Sequence, residues 1–129
     1  MDIKTLEPKF NNILNNHQLK STNVYIVESV KHWANTQGLK EDNPFLLAMT
    51  LCRNNSDIWD IAIKSKINSE EAKGVTSGMD IRGFKHYKEL EKDLEKFIFH
   101  TFLHEIAHIK GVKNELEADN WAYDELQKL

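Results

Sequence analysis

The feature that most constrains the fold of this 129-residue chain is a helical pattern of apolar residues near its C-terminal end. From Leu90 through Leu94, Phe97 and Ile98, apolar side chains recur every three or four residues, the spacing of one face of an α-helix. The pattern continues to residue 109, and Gly111 predicts its end, since glycine readily adopts the left-handed conformation that terminates helices. A further helix is predicted over residues 115–129, so the two should form an antiparallel hairpin.

This predicted helix carries the motif His-Glu-x-x-His at His104, Glu105 and His108. Residues four apart lie on one helical face, so both imidazoles can reach a single ion, and imidazole nitrogens at ~2.0–2.1 Å suit Zn²⁺. Glu105 is displaced by one residue from His104 and can take a proton from water beside the metal without ligating it. The motif therefore predicts a zinc site with Glu105 as general base.

The predicted hairpin supplies further candidates from its second helix. If the chain reverses near Val112, Glu115 lies at about the level of His108, and Asp119 at about the level of His104. A catalytic zinc needs a third protein ligand and an open fourth position, and Glu115 can supply that ligand. Asp119 can accept the other ring N–H of a histidine and hold its orientation. Glu117 is the rival third ligand, although Asn114-x-x-Glu117 also resembles a capping box.

The motif and the helix after it resemble a known group of enzymes. His-Glu-x-x-His followed by Asn-Glu-x-x-x-Asp is similar to the gluzincin metallopeptidases, and Glu-x-Glu-Ala-Asp-x-Trp-Ala looks most like the ImmA/IrrE-type metallo-endopeptidases of bacteria and phages. The resemblance implies one minimal zincin-like domain over residues 1–129 and a cytoplasmic endopeptidase acting on a protein or peptide, often a regulatory protein. It also implies zinc ligation by His104, His108 and Glu115, with Glu105 as base and Asp119 beside a ligand. The gap between His108 and Glu115 is shorter than the family usually shows.

Other polar residues are candidates for the same site. His100 extends the histidine stripe, but His100 and His108 are ~12 Å apart along a helix axis, so we predict a core or cleft histidine rather than a third ligand. Hydrolysis also requires a donor to the developing oxyanion. The candidates are His86, Tyr87 and Tyr123, and the alternative for both tyrosines is packing.

The rest of the chain predicts an α+β fold with a small sheet. A short helix is expected around Leu6 to Leu14, and a second over residues 23–37, capped by Ser21 or Thr22 and ended by Gly38. Asn43-Pro44 could start a helix, but residues 45–52 and 58–63 favour a strand hairpin joined by a turn at residues 53–57. Residues 74–83 are glycine-punctuated and predict an edge strand beside a cleft, which could hold an extended peptide by strand addition.

Composition limits the classes of function. The formal net charge is −3 and no block of Lys and Arg appears, so nothing favours nucleic-acid binding. No run approaches the ~20 apolar residues of a membrane span. Cys52 is the single cysteine, which excludes an intrachain disulfide and favours a reducing, cytoplasmic compartment.

These observations favour a zinc-dependent endopeptidase that hydrolyses peptide bonds with a metal-activated water. One alternative is a catalytically weak or inactive zinc-binding domain of peptidase type that acts as a protein-interaction module. A third hypothesis is a helical structural protein in which the motif is accidental.

Overall fold

The computed structural model describes residues 1–19, 21–53 and 57–129, and the chain forms two compact units, residues 1–66 and 67–129. Across the described residues it contains six α-helices and a three-stranded mixed sheet, so the predicted α+β class is confirmed. In that part of the chain, no helix is both long and apolar enough to cross a membrane.

The first unit contains the sheet. Its elements are a 3₁₀ helix (Ile3–Leu6), α1 (Glu7–Asn16), β1 (Asn23–Val27), α2 (Val30–Thr36), β2 (Ala48–Cys52) and β3 (Trp59–Lys64). The strand order is β1-β3-β2, with β1 parallel and β2 antiparallel to β3. The predicted first helix and the β2–β3 hairpin are therefore confirmed. The predicted turn between those strands includes residues 54–56, which lie outside the described residues.

The predicted helix over residues 23–37 is wrong in its first part. Asn23–Val27 forms β1, and α2 begins only at Val30, where the Ser29 side chain accepts a hydrogen bond from the His32 backbone N–H at 3.1 Å. Ser29, rather than Ser21 or Thr22, is thus the N-cap. The run Val-Tyr-Ile-Val consists of β-branched and aromatic residues, which suit a strand that can pair with β3. Its apolar spacing matched a helical period only by coincidence.

One buried cluster of this unit forms between α2 and the sheet. Val30, Trp33 and Ala34 of α2 are buried together with Ala62 of β3. The partly buried side chains that pack against this cluster include Tyr25, Val27, Leu46, Met49 and Leu51. The buried residues of α2 therefore show helical spacing in the sequence, although the residue at which α2 begins was not predicted correctly.

The second unit consists of helices in its described elements: α3 (Ser69–Ile81), α4 (Tyr87–Lys92), α5 (Leu94–Ile109) and α6 (Glu115–Leu126). The predicted edge strand over residues 74–83 is wrong, because Ser69–Ile81 is helical. A capping box between Asn68 and Glu71 starts α3, and its buried residues Ala72, Thr76 and Met79 recur at helical spacing. Strand addition to this segment is therefore not available to a substrate.

The C-terminal helical hairpin is present with adjusted bounds. Leu90 belongs to the separate helix α4, because the Asp93 side chain caps a new start by accepting from the Lys96 N–H at 3.1 Å. Gly111 has φ +96°, the left-handed conformation predicted for the end of α5. Asn114 then caps α6, which ends at Leu126 rather than 129. The α5 and α6 helices pack against each other and carry the candidate site.

Candidate metal centre

Three predicted ligands converge near the turn that joins α5 to α6. His104 and His108 lie one turn apart on α5, and Glu115 is the first residue of α6. The Nε2 atoms of the two histidines are 3.0 Å apart. One Glu115 carboxylate oxygen lies 3.2 Å from the His104 Nε2, and the other lies 3.0 Å from the His108 Nε2. The candidate ligand atoms all lie within 4.8 Å of one another.

The other ring nitrogen of each histidine has its own hydrogen-bond acceptor. His108 Nδ1 lies 2.7 Å from the backbone carbonyl oxygen of Val112, and His104 Nδ1 lies 2.8 Å from Oδ1 of Asp119. A carbonyl oxygen and an ionised carboxylate can only accept, so both Nδ1 atoms carry the proton and donate it. In a neutral ring the Nε2 atom then carries no proton and presents its lone pair. When both rings are neutral, two Nε2 lone pairs and the Glu115 carboxylate therefore face one another.

This donor set fits a metal ion such as Zn²⁺. Three acceptors at 3.0–3.2 Å repel one another unless a proton or a cation lies between them. Two imidazoles and one glutamate are a ligand set of catalytic zinc sites, and a tetrahedral ion would hold the two nitrogens about 3.3 Å apart. The side chains of His104 and His108 are 13% and 22% exposed, whereas that of Glu115 is 52% exposed, so the cluster is open to solvent on the Glu115 side.

Asp119 connects the cluster to the interior of the unit. Its side chain is fully buried, and its second carboxylate oxygen lies 2.9 Å from Nη2 of Arg82. Burial acts to raise the pKa of Asp119, but the hydrogen bonds from His104 and Arg82 outweigh it and hold the pKa below its usual value. Burial likewise acts to lower the pKa of His104, and the bond to Asp119 with the nearby carboxylates raises it above its usual value. The Asp119 carboxylate is therefore ionised and points at a candidate ligand.

Arg82 is a site residue that the sequence reasoning missed. It is the residue that caps the C-terminal end of α3 and lies 37 positions before its partner Asp119. One signal was present: the chain has 17 Lys and Arg residues, of which only Arg53 and Arg82 are arginines. An arginine in a lysine-rich chain suggests a position that uses the planar guanidinium.

Glu105 follows His104 on α5, and its side chain is buried. Burial raises the pKa of its carboxyl group to about 7, and the charge of Glu115 acts in the same direction, while His104 and His108 oppose the shift. A cation bound at the cluster acts as the histidine charges do and favours the carboxylate. The Glu105 carboxyl group is thus outside the converging ligand atoms but interacts electrostatically with all three residues that carry them.

The structure separates the two rival glutamates and accounts for His100. The backbone N–H of Glu117 donates to the Asn114 side chain at 3.0 Å, and the converging group contains Glu115 instead. His100 is fully buried, and its Nε2 donates to the backbone carbonyl of Asp119 at 3.0 Å. Burial lowers the pKa of His100 to about 4. It is thus a neutral core histidine that ties α5 to the backbone of α6.

Two of the three candidate oxyanion donors contact each other in the second unit. His86 and Tyr123 stack in parallel, with ring centroids 4.0 Å apart. The Tyr123 hydroxyl donates to Glu89 at 2.6 Å, and the bond raises the pKa of Tyr123 and lowers that of Glu89. Tyr87 is the first residue of α4 and is half-buried. The structure therefore brings His86, Tyr123 and Glu89 together.

No protein-family description, curated protein or solved structure matches this chain. The resemblance to gluzincin peptidases thus stays a prediction based on the motif, and the function has to be argued from the site.

Proposed function

We propose that this chain is a zinc-dependent hydrolase that cleaves peptide bonds in a protein or peptide substrate. The observation that carries the proposal is the convergence of two imidazole Nε2 atoms and one carboxylate, at 3.0–3.2 Å from one another. Each ring is turned by a separate acceptor, Val112 or Asp119, so that its lone pair faces the cluster. Such orientation of both rings supports metal binding, because an accidental histidine pair would not require it.

The composition of the cluster favours a catalytic rather than a structural ion. Structural zinc sites use four protein ligands, whereas catalytic sites keep one position for water or substrate. In the part of the chain that the structure describes, the group consists of His104, His108 and Glu115, with no fourth histidine, cysteine or acid. The half-exposed side chain of Glu115 leaves a solvent-accessible side, on which a substrate carbonyl could approach.

Each neighbouring residue has a chemical role in the proposed hydrolysis. Bound Zn²⁺ would supply Lewis acidity, polarising a carbonyl group and lowering the pKa of water toward ~7. Glu105 accepts the proton of the attacking water and returns it to the leaving nitrogen of the substrate. Asp119 and the Val112 carbonyl hold the two imidazoles in the tautomer that presents Nε2. Burial of the Glu105 carboxyl restricts competing water around it.

The alternative is a zinc-binding interaction module without catalysis. One observation favours it: residues 74–83, which the peptidase hypothesis used as an edge strand for substrate, belong largely to the helix α3. A helix offers no free row of backbone N–H and C=O groups with which an extended peptide could pair. Both functions share the metal centre and differ in what Glu105 does.

The metal centre is tested by elemental mass spectrometry on protein purified without a histidine tag. We expect about one zinc ion per chain in the wild type, and loss of zinc in His108→Ala and Glu115→Ala. Glu117→Ala is the matched control, since it removes a neighbouring acid of the same helix that is outside the converging group, and should keep zinc. A wild-type protein that binds no zinc even after zinc is added back would overturn the proposal.

Catalysis is tested with Glu105→Gln, which changes the carboxylate to an amide of the same shape. We expect the wild type to cleave members of a mixed peptide library, read by mass spectrometry, and the variant to keep zinc but lose cleavage. Cleavage retained in Glu105→Gln would contradict its role as base. Zinc binding without any wild-type cleavage would instead favour the interaction module.

A further inference from the structure

We infer that Arg82 is a positioning residue of this centre, whose guanidinium holds the Asp119 carboxylate in the orientation that aims His104 at the metal. The inference rests on the metal centre of the proposed function and extends it to a residue on a third helix. Arg82 acts through Asp119 and has no described contact with the candidate ligands themselves.

A continuous path of contacts connects Arg82 to the ligand. Nη2 of Arg82 lies 2.9 Å from Oδ2 of Asp119, and Oδ1 of the same carboxylate lies 2.8 Å from Nδ1 of His104. Both oxygens of the carboxylate are thus engaged, by partners on α3 and α5. A carboxylate held at one oxygen can still rotate about its final bond, whereas one held at both has a fixed plane. Arg82 therefore prevents the Asp119 carboxylate from rotating, and such a rotation would change the orientation of the His104 ring.

Burial explains why a cation is needed on the second oxygen. The Asp119 side chain is 0% exposed, and an ionised carboxylate with no charged partner is unfavourable in such a position. His104 must stay neutral to ligate a metal, so it cannot balance that charge. The guanidinium supplies the balancing charge, and its planar donors suit a carboxylate better than the ammonium group of lysine does.

The backbone of Asp119 is held separately from its side chain. His100 donates to the Asp119 backbone carbonyl at 3.0 Å and so keeps this part of α6 close to α5. Loss of Arg82 should therefore release the carboxylate without separating the two helices. The Arg82 side chain is itself 35% exposed, so its replacement should leave the core intact.

The local structure of α3 allows Arg82 to reach this position. Its guanidinium lies back over Gly78, where an added Cβ would stand 3.4 Å from Nη1 of Arg82. The chain then turns at Gly83, whose φ is +92°. The absence of a side chain at Gly78 thus leaves room for the guanidinium.

The test compares zinc dissociation constants, measured by competition with a chromogenic chelator at fixed pH and salt. Loss of an outer hydrogen-bond partner typically weakens metal binding by about 10–100-fold, and we expect about 10-fold for Arg82→Gln. Arg82→Lys should weaken binding by roughly 3-fold, because lysine keeps the positive charge but lacks the planar guanidinium group that directs Nη2 to Asp119. Lys73→Gln is the matched control: it removes one positive charge from an exposed position of α3 and should leave the Kd unchanged.

A double-mutant cycle separates positioning from a general structural effect. In an Asp119→Asn background, Arg82→Gln should weaken zinc binding no further, because the path passes through Asp119. The visible spectrum of the Co²⁺-substituted protein should change in Arg82→Gln and stay unchanged in Lys73→Gln, since it reports ligand geometry.

The outcomes distinguish this inference from the proposed function. If the wild type binds no zinc, the proposed function itself fails. If the wild type binds zinc but Arg82→Gln, or Arg82→Lys should the glutamine variant not fold, has the wild-type Kd, only the role of Arg82 is overturned. A loss of stability in the metal-free state with unchanged zinc affinity would likewise show a purely structural salt bridge.

Discussion

His100 should make the stability of the metal-free protein depend on pH. Its side chain is 0% exposed, its Nε2 donates to Asp119, and its Nδ1 has no partner among the described residues. The imidazole is therefore neutral in the folded state, with its pKa lowered to about 4 from the 6.5 expected in the unfolded chain. Between these values the unfolded chain binds more protons, so the free energy of unfolding falls as the pH falls.

The size of the effect is set by the two pKa values. A pKa difference of 6.5 − 4 corresponds to about 3 kcal/mol in total at 1.36 kcal/mol per unit. Lowering the pH from 7.5 to 5 covers part of this window and should remove about 2 kcal/mol through His100 alone. Glu105 and His104 work in the opposite direction, because their raised pKa values favour the folded state at low pH. The wild-type curve by itself thus mixes these contributions with that of His100.

The non-titrating variant His100→Gln isolates the histidine. The amide nitrogen of glutamine can take the place of Nε2, so the bond to the Asp119 carbonyl can persist. Urea unfolding followed by circular dichroism, with chelator present, gives the free energy of unfolding at each pH. We expect the wild type to lose about 2 kcal/mol more than His100→Gln between pH 7.5 and 5. Parallel curves for the two proteins would refute the assignment of a buried neutral imidazole.

Three further predictions test the metal centre and the helix ends. Removing zinc with a chelator should lower the Tm of the wild type but not that of His108→Ala. At a free zinc concentration 1,000 times the Kd, bound zinc adds about 4.1 kcal/mol to the free energy of unfolding. Equal effects on the two proteins would contradict the assigned ligand. Gly111→Ala should cost about 1 kcal/mol in urea unfolding, because φ is +96° and an added Cβ meets nothing within 4 Å, so the strain is in the backbone alone. Asn68→Ala should cost about 1 kcal/mol by removing the cap of α3, and an unchanged midpoint would argue against that cap.

The candidate ligands were accessible from sequence because their geometry is local. A spacing of four residues places His104 and His108 on one face of any α-helix. The short connection through Gly111 then places Glu115, the first residue of the next helix, beside the two histidines. The observed convergence of these side chains required only helix geometry and one turn, and its occupation by zinc stays a prediction.

One error falls where a distant pairing partner decides between local alternatives, and the other where a local helix cap went unrecognised. Residues 23–27 have apolar spacing compatible with a helix, and pairing with β3 makes them a strand. In residues 74–83 the glycines suggested an edge strand, whereas the cap at Asn68 and the buried face of α3 impose a helix. Periodicity over a few residues cannot resolve such cases, because the free energy that decides them comes from packing and pairing.

Local spacing in the sequence was enough to predict the α+β class, the strand hairpin, the helical hairpin and the group of His104, His108 and Glu115. Covalent geometry and helix pitch set these relations over a few residues, so no knowledge of the rest of the chain was needed. The ion pair between Arg82 and Asp119 joins residues 37 positions apart. No spacing rule connects them, because their proximity depends on how α3 packs within the second unit, and that is a property of the folded chain as a whole.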